Sequence, residues 1–289
     1  MKKLLENMIE VPLPQSLFCS SIISNNNNIY IIGGENFVTG KYPSKDIYFT
    51  TINNNIINNW KKLNPLPVGV RNSKAIVLGN KLHLIGGVST YKYIDYVFST
   101  NINEDGTLGQ WHKSHRLPRL LYKPEILVLN NKNLLLINGD SNNTYITSIN
   151  EDGNIGPWTE GPMLPENIIN PKIIYDHIKN KYILFSSKNT YFIDIDSDNN
   201  IKGWIEGPAL PNNILRHNII TYDDEIFLFC MRDTVVDSIY STKINNLETW
   251  VKIKSLPIFL EFLYIEVINN NIYLFNNIGQ TGPILNKIN

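Results

Sequence analysis

Apolar residues recur along this chain in short runs of strand length, separated by Asn, Asp, Gly and Pro. In the stretch that follows Leu66-Pro67, Ala75-Ile76-Val77-Leu78 is one such run and Gly79-Asn80 a tight turn signal. Lys81-Leu82-His83-Leu84-Ile85 then alternates polar and apolar before Gly86-Gly87. Tyr96 to Ile102 follows, then the turn Asn103-Glu104-Asp105-Gly106, then Trp111. Four β-rich runs divided by turn residues predict a four-stranded antiparallel sheet, strands a to d.

The same grammar repeats. Strand b reads Ile29-Tyr30-Ile31-Ile32-Gly33-Gly34, Leu134-Leu135-Leu136-Ile137-Asn138-Gly139, Tyr182-Ile183-Leu184-Phe185, Ile226-Phe227-Leu228-Phe229 and Ile272-Tyr273-Leu274-Phe275 in the other units. Trp60, Trp111, Trp158, Trp204 and Trp250 are each followed six residues later by Leu-Pro, and neighbouring tryptophans lie 51, 47, 46 and 46 residues apart. A fixed offset inside a period of roughly 40–50 residues marks a propeller-type repeat. The expectation is a single all-β domain over 1–289, a six-bladed β-propeller with blades at about 14–65, 66–116, 117–163, 164–209, 210–255 and 256–289 plus 1–13.

The sixth blade rests on closure. Leu13-Pro14 is a sixth Leu-Pro, and Asn7 to Pro12 aligns with the outer strand of the other units. Residues 283–288 read as a strand c with no strand d after it, so the N-terminal strand is expected to complete the last blade and seal the ring, removing a free sheet edge. Each Trp, opening strand d, is expected to bury about 150–250 Å² against the next blade. Proline after Leu cannot donate to a ladder and ends the strand.

Composition narrows the function classes. Lys plus Arg and Asp plus Glu both number 26, so the phosphate-neutralising excess of a nucleic-acid binder is missing. Glu6, Asn7 and Glu10 interrupt any signal-like apolar core behind Lys2-Lys3, and no run approaches the roughly 18 apolar residues of a membrane helix. The expectation is a soluble product without nucleic-acid or membrane partners, cytoplasmic or, if phage-encoded, carried on a virion. The short Asn runs fall where turns are expected.

Gly-Gly after strand b, an aromatic in strand c and Trp opening strand d resemble the kelch repeat over essentially the whole chain, although the Gly pair is intact only in the first two units. The Asp-Gly-x-x-Gly-x-Trp form at Asp105 and Asp152 is similar to bacterial and phage-encoded kelch-like propellers. The resemblance implies a binding scaffold, with an enzymatic minority that includes galactose oxidase and a sialic-acid mutarotase.

Specific chemistries find little support. The Asp-Gly loops depart from the sialidase Asp-box spacing, and five arginines form no complete carboxylate-binding set. Asp194-x-Asp196-x-Asp198 opens like an EF-hand, but Asn199 takes the Gly position and Ile205 the place of the final Glu. Cys19 and Cys230 fall in blades separated by the sixth and read as inert thiols, and no copper constellation assembles. His83 and His177 read as surface or satisfied structural residues, and His112-x-x-His115 as a rim pair. No metal or cofactor is expected.

The loops between Leu-Pro and the next strand a gather on one face, where scaffolds place function. They carry the candidate partner-binding residues Arg71, Asn72, Arg119, Tyr122, Glu166, Arg216, His217, Phe259 and Glu261. The long b–c loop from Glu35 to Lys45 is a second contact surface. Two readings follow. The first is a non-enzymatic module binding a protein or glycan through its loop faces, as a virion or cell-surface component. The second is a sugar mutarotase or epimerase-like enzyme, with Arg71 or Arg216 clamping a sugar carboxylate and Glu166 or Glu261 as acid–base.

Overall fold

The computed structural model describes residues 8–15, 17–36, 43–129, 132–196, 200–211, 216–232, 235–255 and 264–276, with side chains for all of these but 216, 231, 232, 235–237, 254, 255 and 276. All regular structure among them is strand. After β1 (Met8–Pro12), the first blade holds β2 (Ser21–Asn25), β3 (Asn28–Ile32) and β4 (Ile47–Asn53), and its outer strand is broken into β5 (Ile56–Ile57) and β6 (Lys61–Lys62), both paired to β4. The second holds β7 (Lys74–Leu78), β8 (Lys81–Ile85), β9 (Tyr96–Asn101) and β10 (His112–Arg116). The third holds β11 (Glu125–Leu129), β12 (Asn133–Ile137), β13 (Thr144–Ser148) and β14 (Thr159–Glu160). The fourth holds β15 (Lys172–Asp176), β16 (Lys181–Phe185), β17 (Asn189–Ile195) and β18 (Ile201–Ala209). The fifth holds β19 (Arg216–Tyr222), β20 (Glu225–Arg232), β21 (Val235–Lys243) and β22 (Val251–Ser255). The sixth holds β23 (Tyr264–Ile268), β24 (Asn271–Asn276) and β1.

The fold is therefore a six-bladed β-propeller whose last blade is completed by the N-terminal strand, as the repeat predicts. One detail differs. β1 runs parallel to β24, the direction of an outer strand, yet lies directly against it, with Met8 opposite Ile272 and Pro12 opposite Asn276. The strand expected at 283–288 falls outside the described residues. The chain packs as two compact units, Ser16–Ile168 with Ile195–Gly203 and Met1–Gln15 with Ile169–Asp194 and Trp204–Asn289.

Within each unit the cores lie between neighbouring blades, because alternate residues of a strand face opposite neighbours. Tyr30, Ile32 and Phe49 of the first blade, with Leu66 and Val70 of the connection that follows it, pack on Leu82, Leu84, Phe98 and Trp111 of the second. On the other side of the second blade, Ile76, Ile85 and Val97 meet Leu121, Leu134, Leu136 and Tyr145. In the other unit Phe227, Phe229 and Ile239 meet Ile272 and Leu274, with Met8 of β1 in the same cluster.

The tryptophans are buried to different depths. Trp111 is the buried one, at 9% exposure, while Trp60, Trp158, Trp204 and Trp250 stay partly exposed. The leucines of the Leu-Pro pairs are the deeper anchors: Leu13, Leu66, Leu117, Leu164 and Leu210 are 0–7% exposed. The Leu66 amide also donates to the Lys45 carbonyl at 2.8 Å, and Leu117, Leu164 and Leu210 make the matching bond to Asp95, Asn142 and Lys188. Leucine thus makes the last rung before proline stops the strand. Leu66→Ala is expected to cost about 2–4 kcal/mol by urea denaturation, more than Trp60→Ala, because Leu66 leaves a cavity that cannot collapse.

Candidate functional site

In an a–b–c–d meander the b–c loops and the d–a connections leave the sheet at the same end. Hydrogen bonds join these segments from blade to blade. The first b–c loop opens on Gly33 and Gly34, whose φ values of 65° and 92° recur at Gly86 and Gly87 in the second. The Gly34 amide donates to the Val70 carbonyl at 2.7 Å, and the Gly87 amide to Leu121 at 3.3 Å. Gly139 of the third blade donates instead to Tyr122, in the connection that enters the same blade, at 3.1 Å.

A second series runs alongside. Cys19, Asn72, Lys123 and Asn170, each six residues after the leucine of a Leu-Pro pair, all adopt left-handed backbone, with φ between 47° and 55°. The Asn72 amide donates to the Cys19 carbonyl at 2.9 Å, and the Lys123 amide to Asn72 at 3.2 Å. Asn72, a candidate from its loop position, is 6% exposed and serves here as a backbone joint. Cys19 and Cys230 are both free thiols.

Charged side chains are fixed on this frame. Arg71 Nη1 meets Glu35 Oε1 at 2.6 Å, with the Glu35 side chain 3% exposed and Arg71 36%. The pair ties the first b–c loop to the connection entering the second blade, an ion pair that spacing alone does not reveal. Lys74 Nζ meets Glu125 Oε1 at 2.6 Å, linking the first residues of β7 and β11. Arg119 is exposed and donates to Asn143 Oδ1 of the third b–c loop at 2.9 Å. Tyr122 is half-buried, with its amide donating to Asn138 Oδ1 at 3.2 Å and the Lys123 ammonium 5.6 Å from its ring.

Glu166 is half-buried, and its Oε1 is enclosed without a hydrogen-bond partner among the described residues. His217 is 4% exposed in β19, where it pairs in register with Cys230. Arg216 opens the same strand, opposite Met231, but its side chain lies outside the described ones. Phe259, Glu261 and residues 37–42 of the long loop also lie outside the described residues.

The structure adds a feature that the motifs do not carry. At the loop end that carries Arg119, large apolar side chains stand in solvent: Tyr91 at 96% and Tyr93 at 38% in the second b–c loop, Leu120 at 51% next to Arg119 in sequence, and Met163 at 61% at the close of the third blade. The loop bearing Tyr91 is pinned at its base, where Val88 bridges both Arg71 and Tyr93. A groove of about 290 Å³ lies elsewhere, lined by Phe49, Thr50, Thr51, Asn58, Asn59 and Lys61.

Two carboxylates with lowered proton affinity hold turns of the scaffold. Backbone and side-chain hydrogen bonds from Thr107 lower Asp105, holding the hairpin of the second blade. The Asn200 amide and Lys202 hold Asp196 down at about 2. Asp196 thus closes a c–d turn, and Asp198 lies outside the described residues. Among the described residues no three His, Cys, Asp or Glu side chains come together to hold a metal ion, and His112 and His115 stand exposed in β10. No helix among them is long and apolar enough to cross a membrane.

No protein-family model matches the chain, and no curated protein matches it. Among solved structures it is similar to that of YjhT, with a TM-score of 0.68 over 90% of each chain and 11% sequence identity. At that identity the likeness speaks to the fold alone.

Proposed function

We propose that the chain is a kelch-type propeller acting as a non-enzymatic binding module, which offers the loop end of its second and third blades to a protein or glycan partner. The supporting observation is the exposure of Tyr91, Leu120 and Met163 in loops at the same end of the blades as Arg119, which Asn143 orients. Tyrosine and arginine are among the residue types that anchor interfaces, and exposed apolar side chains such as Leu120 and Met163 mark interaction surfaces. Arg71 commits a guanidinium nitrogen to Glu35 at 2.6 Å, which weighs against its use as a carboxylate clamp. Screening the folded protein on glycan and protein arrays is expected to yield a partner whose affinity falls at least about tenfold in Tyr91→Ala and Leu120→Ala, with unchanged melting. Full affinity in both variants would place the contact on another surface.

The mutarotase reading draws on Glu166, whose enclosed Oε1 lacks a partner among the described residues. Unpaired enclosed carboxylate oxygens call for an explanation, and a ligand hydroxyl is one. Anomer exchange of a carboxylated sugar, followed by NMR, discriminates the readings. The binding module leaves the exchange at its buffer rate; acceleration that disappears in Glu166→Gln would replace the module with the enzyme.

A further inference from the structure

Among the described strands, β1 alone joins its sheet from a remote part of the chain. Every other strand pairs with a neighbour from its own blade's run of sequence. β1 lies instead on β24, with Met8 opposite Ile272 and Pro12 opposite Asn276. The division of the chain agrees with this. Residues up to Gln15 pack with Ile169–Asp194 and Trp204–Asn289, while Ser16 onward, and β2 with it, belongs to the other compact unit. β1 is therefore a strand on a tether, held by its sheet and by no hairpin.

The tether is anchored on both sides of a narrow place. Leu13 is buried before it, at 0% exposure, and Leu17 and Phe18 after it, at 1% and 6%. Phe18 also exchanges two backbone hydrogen bonds with Glu35, at 2.9 and 2.7 Å, which fasten it to the first blade. Freedom to swing thus falls at Pro14 and Gln15, both half-buried. Pro12 and Pro14 have no amide proton to give to a ladder. Each also drives the residue before it, Val11 or Leu13, towards extended backbone, so this stretch favours an arm that reaches outward.

The arm recognises β24 through contacts that every copy of the chain offers. Met8 and Val11 are buried at 6% and 1%, and Met8 shares a cluster with Phe227, Phe229, Ile272 and Leu274. A chain's own arm is preferred only through its effective concentration, which for a short tether is about millimolar. We infer that β1 is an exchangeable arm, which docks in the same parallel register on β24 of a second copy of this chain. Reciprocal exchange gives a closed two-fold pair in which each arm keeps the contacts it makes at home. With 26 cationic and 26 acidic side chains, two copies meet without net repulsion. This interface is separate from the loop-end surface and does not depend on its partner.

Disulfide trapping reads the exchange directly. Cys19→Ser and Cys230→Ala remove the native thiols, and Met8→Cys is placed in one chain and Ile272→Cys in another. The two folded proteins are mixed at about millimolar concentration, warmed below their melting point and oxidised. Paired strands lie about 4.8 Å apart, within reach of a disulfide. Pro12→Cys with Ile272→Cys is the control, because four residues of strand, about 13 Å, separate them in this register. Cross-linked heterodimer from Met8→Cys is expected at least about tenfold above the control and to decline on dilution. A chain carrying both Met8→Cys and Ile272→Cys is expected to oxidise within itself when dilute and then to stay monomeric. Val11→Cys with Phe275→Cys, another pair in register, repeats the trap if Met8→Cys does not fold. Heterodimer no more abundant than the control in either pair would overturn the exchange. Tyr91→Ala is expected to leave the trapping unchanged, whatever it does to binding at the loop end.

Discussion

Deleting residues 1–12 is expected to lower the melting temperature by about 10–20 °C, at roughly 2–4 °C per kcal/mol for a chain of this size. The segment carries β1, and two of its side chains, Met8 at 6% exposure and Val11 at 1%, are buried in the last blade. Removing two such side chains costs about 3–5 kcal/mol, and the unpaired edge of β24 adds to that. A peptide of residues 1–15 supplied in trans should recover part of the loss, as mass action requires. Calorimetry decides the matter, and a melt that does not move would deny β1 any part in holding the blade.

The second large effect is expected at Gly33. An alanine Cβ there would sit 2.3 Å from the Val70 carbonyl oxygen, on backbone at φ +65°. That oxygen already accepts from the Gly34 amide at 2.7 Å, so it cannot retreat without breaking a bond between blades. Gly33→Ala should therefore cost about 3–5 kcal/mol, the left-handed penalty of roughly 1–2 kcal/mol plus the clash. Gly79→Ala provides the control, because Gly79 has φ +56° but no atom within 4 Å of an added Cβ. It pays the backbone penalty alone. Equal losses in urea denaturation would show that close approach is not why the first position of the Gly pair is glycine.

The blades were legible because each strand reports its burial through a local period, and each turn through its own glycine or asparagine. Even the split end of the chain was readable, since Leu13-Pro14 fits the template and lacks only its tryptophan. The weights within the template were not. Tryptophan looks the better anchor by size, yet leucine sits deeper, because Leu66 lies under two blades while Trp60 lies at the margin of the outer strand. Contacts between neighbouring blades escaped for a different reason. Cys19, Asn72, Lys123 and Asn170 share a backbone angle but not one side-chain type. Tyr30 and His83 each bond the c–d hairpin of the following blade and share no shape. In the loops, Arg71 was found by position and its partner Glu35 was not, since ion pairing across 36 positions has no periodic signature.

The parallel seam of β1 on β24 also orders events in time. The partners stand far apart in sequence, Met8 against Ile272, so on the ribosome β1 is made and then waits for all the intervening blades to emerge. Contacts this remote in sequence are slow to form, and an unpaired strand is exposed to misassociation meanwhile. Glu10 within β1 and Pro12 at its end are residues that discourage a waiting strand from pairing with the wrong edge. Translation speed and chaperone access to residues 8–12 should therefore govern the yield of folded protein more than they govern its final stability.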